Sequence, residues 1–175
     1  MGKTRYIIST GGLPVGNHEF QFEVTDAFFK DTDTEELNGV DVSVKAILLK
    51  QNNVMQLQFE LSGTVNINCD RCLKEFDIPV EGTEHLIIKY GNPSDSTDEV
   101  LMVHEGETQL DVTQYIYEYV ITAVPARKVP CEIDSKKYKC DKALLKKLNE
   151  NSISVESIEE NPLWEQLNKL KNNKN

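Results

Sequence analysis

The residues of this chain whose type and spacing point to chemistry are its four cysteines. Cys69-Asp70-Arg71-Cys72 is a C-x-x-C, and Cys131 and Cys140 follow with eight residues between them. Two thiolates that converge from a tight turn make half of a tetrahedral zinc site, and a second pair completes it. The candidate zinc ligands are therefore Cys69, Cys72, Cys131 and Cys140, although the second spacing is wider than that of ordinary zinc modules. A redox role needs the C-x-x-C at a helix N-terminus beside a βαβ unit, where the dipole lowers a thiol pKa. Here the flanking segments read as strands, which argues against it. The bland alternative is two small thiols in a turn and two in a loop, with no metal.

Other catalytic signals are missing. His18, His85 and His104 are scattered and fall in no ligand spacing. No nucleophile elbow, phosphate-binding glycine loop or dinucleotide fingerprint is present. Carboxylates are abundant, but abundance does not nominate an acid and a base. The expectation is a protein that is not an enzyme. Tyr115 and Tyr119 fall on an apolar helical face, which leaves Tyr117 as a free aromatic for stacking on a base.

Charge adds a second feature. The formal net charge of −10 opposes whole-surface attraction to nucleic acid or to an anionic membrane. It is unevenly spread: residues 1–125 hold 8 Lys/Arg against 21 Asp/Glu, whereas residues 126–147 hold 8 against 3. Arg127, Lys128, Lys136, Lys137 and Lys139 belong to this basic island, and Arg71 and Lys74 join it if Cys131 lies beside the C-x-x-C. These seven are the candidate contacts to RNA or to a partner, the alternative being a solvated loop and helix face.

The elements that must position these residues are chiefly strands. Met55, Leu57, Phe59, Leu61, Val65 and Ile67 alternate with polar residues, and the alternation resumes from Phe76 to Tyr90. Val40 to Leu48 alternates likewise, and Phe20-Phe22-Val24 marks an earlier strand before an acidic loop at 31–36. Period two over such lengths predicts half-buried antiparallel strands. The C-x-x-C then falls at the reversal of a hairpin, and Gly63 and Gly82 read as bulges or bends. Val100–Val103 reads as one more short strand. The period next changes: Val112, Tyr115, Ile116, Tyr119, Val120 and Ala123 share a helical face, with Asp111 and Gln114 as an acidic capping box and Pro125 as the stop. Further helices are expected at Asp141–Leu148 and from Asn161-Pro162, where Leu163, Trp164, Leu167 and Leu170 form an apolar face.

The fold class is thus α+β, a long antiparallel β-meander with a helix after the sheet and short C-terminal helices. Residues 1–148 form a β-rich domain, and 149–175 an acidic linker with a helix that docks on it. No apolar run reaches the length of a membrane span, and Tyr6–Ile8 is too short for the core of a signal peptide. A cytoplasmic location with reduced thiols, rather than disulfides, is the expectation.

In order, Cys69-x-Arg71-Cys72-Leu73 with Phe76, the helix opened by Asp111, Ala123-Val124-Pro125, Cys131 and Asn161-Pro162-Leu163-Trp164 resemble the YceD family over about residues 60–171. These are the proteins named for accumulation of large-subunit ribosomal RNA. The resemblance implies a ribosome biogenesis factor that supports synthesis or accumulation of that RNA, with the RNA, pre-ribosomal particles or a ribosomal protein as partners. Some members carry further cysteine clusters after the helix, whereas this chain has only Cys131 and Cys140 there. An alternative from a different class is a protein-interaction module whose acidic surface meets a basic ribosomal protein without touching RNA.

Overall fold

The structure is a computed structural model that describes residues 4–30, 37–97 and 99–152. The expected acidic loop at 31–36 lies outside the described residues, as does the expected C-terminal helix with Trp164. The chain divides into two compact units, Met1–Tyr138 and Lys139–Asn175.

In the first unit, β1 (Ile7–Ser9), β2 (Gly16–Thr25) and a short helix α1 (Asp26–Lys30) precede the long strands β3 (Gly39–Lys50), β4 (Val54–Asn68) and β5 (Glu75–Tyr90). Then come β6 (Val100–Val103), β7 (Gln109–Asp111), α2 (Thr113–Thr122) and α3 (Pro130–Ile133). The second unit contributes α4 (Lys142–Glu150), whose cap Asp141 accepts hydrogen bonds from the Ala143 and Leu144 amides.

Strands β2 to β6 form one sheet in sequence order. It is antiparallel from β2 to β5, and β6 joins the edge of β5 in parallel. The mixed α+β fold and the long meander match the sequence reading. The predicted bulges do not occur: β4 pairs with β5 without a slip from Val54↔Lys89 to Asn68↔Glu75, and β3 with β4 from Gly39↔Asn66 to Lys50↔Met55. Gly63 serves close approach instead. A Cβ there would sit 2.2 Å from the Asp41 carbonyl oxygen and 2.6 Å from the Val42 Cα, so only glycine lets β3 run past unbroken.

The alternation sorts the sheet into two faces. Val42, Val44, Leu48, Leu57, Phe59, Leu61, Leu86 and Ile88 are buried on the inner face. Helix α2 packs there through Ile116 and Val120, with the Tyr119 ring 5.2 Å from Phe59. The small antiparallel pair β1–β7 also packs inward through Ile8 and Leu110, both essentially inaccessible. The other face keeps Glu19, Glu23, Asp41 and Glu81 in solvent.

Local chemistry departs from expectation in two places on α2. Asp111 Oδ1 accepts from the Thr113 amide at 3.0 Å, but Gln114 turns outward to Glu118 at 2.7 Å, so no reciprocal box closes. Tyr117 is not free for stacking, because its ring lies 5.3 Å from Phe29 and 6.4 Å from Phe28. Helix α1 is what claims it.

Candidate metal centre and basic surface

Strands β4 and β5 stay paired as far as Asn68↔Glu75, which leaves residues 69–74 to reverse the chain. The Cys69 amide donates to the Lys74 carbonyl at 2.9 Å and the Leu73 amide to the Cys69 carbonyl at 2.8 Å. These bonds close the turn and bring Cys69 and Cys72 inward, both buried. The tightness has a local cost: Leu73 takes a left-handed backbone at φ 57°, a conformation in which a Cβ is crowded.

After α2 the chain passes Pro125 and returns to this turn. Asp70 holds the backbone of Lys128 at both ends: the Asp70 amide donates to the Lys128 carbonyl at 2.8 Å, and the Asp70 carboxylate accepts from the Lys128 amide at 2.7 Å through Oδ2. Pro130 occupies the start of α3, where its missing N–H costs nothing, and Cys131 follows in the first turn. The Cys131 Sγ lies 3.9 Å from the Cys69 Sγ.

All four cysteine sulfurs, those of Cys69, Cys72, Cys131 and Cys140, lie within 4.8 Å of one another. The predicted ligand set is therefore brought together despite its wide second spacing. A tetrahedral zinc thiolate with bonds of about 2.3 Å has sulfur–sulfur edges of about 3.8 Å, so the Cys69–Cys131 separation is that of one edge. Four thiols and no hard oxygen donor suit zinc rather than calcium or magnesium. One feature differs from the expectation of four reduced thiols. Cys131 and Cys140 lie at disulfide distance, while Cys69 and Cys72 are in no disulfide. A disulfide at that pair and a four-thiolate zinc site exclude each other, since sulfurs bonded at about 2.05 Å cannot span the roughly 3.8 Å edge of the tetrahedron.

The basic candidates separate into those the turn gathers and those it does not. Arg71 Nη1 reaches Glu132 Oε1 at 3.0 Å and Arg127 Nη2 reaches Glu132 Oε2 at 2.6 Å, so one carboxylate joins both guanidinium groups beside the cysteines. Lys128 is held there by its backbone. Lys74 instead lies over the Phe76 ring, 5.4 Å from its centroid. Lys136 and Lys137 donate their amides to Asp134 Oδ1, and the Lys137 ammonium stands 5.0 Å from the Tyr138 centroid. That ammonium is held above its ordinary pKa, first by its polar contact with the Tyr138 hydroxyl. The pair lacks hydrogen-bond geometry, however, and the buried Tyr138 hydroxyl has no hydrogen-bond partner among the described residues. Lys139 is exposed at the start of the second unit.

Sequence reasoning passed over Glu132 and Tyr138. Glu132, between Cys131 and Ile133, and Tyr138, between Lys137 and Lys139, give no periodic signal. Only the return of the chain to the hairpin makes them neighbours of the site.

The family described as large ribosomal RNA subunit accumulation protein YceD matches residues 57–171, from β4 through the second unit. That span is more than half of the chain, and the chain belongs to this family. No curated protein and no solved structure matches it.

Proposed function

We propose, with membership of that family as the premise, that this chain is a non-catalytic ribosome biogenesis factor. It supports accumulation of large-subunit ribosomal RNA in the cytoplasm by binding that RNA, or particles that contain it, through the surface around the hairpin turn. The observation that carries the reading is the gathering of Arg71, Arg127 and Lys128 around four clustered sulfurs in a chain of net charge −10. Only around such a zone does the local potential turn against the overall field.

Zinc is the metal proposed for Cys69, Cys72, Cys131 and Cys140. When bound it supplies a structural cross-link and no chemistry of its own, since four protein ligands leave no open position. The chain's residues do the rest. Cys69 and Cys72 anchor the turn that carries Arg71, Cys131 anchors the segment that carries Arg127 and Lys128, and the two guanidinium groups offset thiolate charge.

The test replaces Arg71, Lys74, Arg127 and Lys128 by Ala in cells that rely on the protein. The expected result is reduced large-subunit ribosomal RNA and particle association with a weaker dependence on salt. Normal RNA levels with unchanged salt dependence would sink the reading. A second reading, contact with a basic ribosomal protein, is favoured by one observation: the exposed carboxylates Glu19, Glu23, Asp41 and Glu81 on the open sheet face. It predicts that neutralising those four, and not the basic four, releases the particle.

A further inference from the structure

The sheet ends in two unlike edges. At one, β6 is four residues long, and the Ser96 hydroxyl takes its Met102 amide at 2.9 Å. At the other, β2 runs for ten residues in unbroken register with β3 and holds no proline, lysine or bulge. Proteins blunt exposed edges with short strands, proline, lysine or bulges, because a row of unpaired main-chain groups accepts a further strand. Among the described residues no strand pairs with the outer side of β2.

Two hydrogen bonds fix which groups that edge presents. The Val40 amide turns to the Asp26 carboxylate, just past the end of β2. By the alternation of a strand, Val42, Val44, Ala46 and Leu48 also face β2, and Val24, Phe22, Phe20 and His18 fill the ladder with them. Asn17, Glu19, Gln21 and Glu23 then point their N–H and C=O groups away from the sheet. In agreement, the Tyr6 hydroxyl donates to the Glu23 carbonyl at 3.0 Å and so closes one end of the edge. The side chains alternate as well. Glu19, Gln21 and Glu23 are exposed on the open face, and Phe20 and Phe22 are half-buried on the other. Lys45 meets Glu19 at 3.1 Å, an exposed pair that solvent weakens.

We propose that the free edge of β2 takes up an extended segment of a basic partner protein as an added strand. The main chain of Glu19 and Gln21 supplies the ladder. Lys or Arg of the segment lies beside Glu19 and Glu23, and the alternate residues, apolar, pack beside Phe20 and Phe22. Charge is what selects this occupant over a second copy of the chain. An antiparallel second copy would bring its own Glu19 and Glu23 onto the same face, between two bodies that are each of net charge −10. The inference shares with the second reading above only the sign of the partner's charge, and it needs neither the RNA contact nor the zinc.

The experiment uses the full chain and three fluorescein-labelled peptides about as long as β2. One alternates Lys and Val, one alternates Glu and Val, and the third is the Lys–Val peptide with every amide N-methylated, which keeps its charge and removes its donors. Anisotropy gives affinity, and hydrogen exchange locates the contact. The Lys–Val peptide is expected to bind and to slow exchange of the Glu19 and Gln21 amides, and the other two are expected not to bind. Gln21→Pro removes an outward N–H and leaves the β3 ladder its bonds, so it should weaken binding about tenfold. Glu19→Lys with Glu23→Lys touches no main-chain group and should exchange the preference, taking Glu–Val in place of Lys–Val. Equal binding of the N-methylated peptide would show attraction of charge without an added strand, and the inference would fall. Protection confined to amides outside β2, or no binding of the Lys–Val peptide, overturns it as well. So does a wild type that sediments as a dimer while Gln21→Pro sediments as a monomer, because a second copy then holds the edge. RNA binding and zinc content, measured on the same proteins, are expected to be unchanged in both variants, so this inference and the reading above fail separately.

Discussion

Leu73 occupies the one position of the metal-site turn where the sequence and the backbone disagree. Its φ of 57° lies in the left-handed region, and its side chain is 71% exposed, so the strain is not offset by burial. A Cβ in that region costs about 1–2 kcal/mol, which Leu73→Gly would recover. Glycine also gives the unfolded chain more freedom, which takes back about 0.5–1 kcal/mol. The net expectation is a gain of about 0.5–1 kcal/mol. With an unfolding entropy of about 2.1 cal/mol/K per residue, a body of this size should then melt about 2–3 °C higher. Thermal and urea unfolding of wild type, Leu73→Gly and Leu73→Ala, all reduced and loaded with zinc, measure it. Leu73→Ala keeps the Cβ and should show none of the gain. If Leu73→Gly melts at or below the wild-type midpoint, the side chain packs on something that stabilises the turn, and the strain argument is wrong.

Three further outcomes are expected. Gly63→Ala drives a methyl into the Asp41 carbonyl and the Val42 Cα, both backbone and neither able to swing away, so it should cost about 2–3 kcal/mol in urea unfolding. A loss below about 0.5 kcal/mol would mean that β3 and β4 part easily. Tyr119 has its pKa pushed up to about 12, first by burial and then by Glu84, Tyr115 and Glu118. A raised folded value means that its contribution is complete below the ordinary tyrosine pKa near 10 and is lost as pH rises through about 12. Wild type should therefore lose stability across that window more steeply than Tyr119→Phe, and parallel pH profiles would refute it. Chelator with reductant should strip one zinc per chain and lower the thermal midpoint, with elemental analysis as the check. Protein purified without chelator that holds less than about a tenth of an equivalent of zinc has no such site.

What was legible in the sequence is what depends on periodicity. β3, β4 and β5 each bury a full stripe of alternating side chains, and a one-residue slip would turn every one of them to solvent. That constraint also placed the C-x-x-C at a reversal, because strands on both sides left nowhere else for it. The three-residue strands β1 and β7 span too little for any period, and the parallel pairing of β6 is decided by tertiary contact rather than by its own residues. The glycines misled because two causes share one signal. A bulge and a close backbone approach both demand a missing Cβ, and at Gly63 it is the neighbouring strand that makes the demand. Tyr117 misled for a similar reason: helix spacing put it off the apolar face of α2, and α1 then supplied Phe28 and Phe29 to cover it.

The site also explains why cysteines belong at this end of the sheet. A hairpin arm as long as β4–β5 is anchored where α2 covers it, and at its tip Ile67, Phe76 and Ile78 are buried together with Cys69 and Cys72. Three fastenings of different chemistry meet there. The two hydrogen bonds between Asp70 and the Lys128 backbone set the distance between the two segments, and the Arg71–Glu132–Arg127 bridge sets their lateral order. The bridge is exposed, and exposed ion pairs are worth little and weaken with salt. A ribosomal RNA phosphate would compete directly for the same guanidinium groups. The proposed zinc would be indifferent to both, so it would keep the segments together while Arg71 and Arg127 exchanged Glu132 for phosphate. On this argument the metal and the ion bridge are not redundant. In the proposed function the bridge would hold the cations in place before RNA binds, and the sulfur cluster would let the bridge open without the tip coming apart.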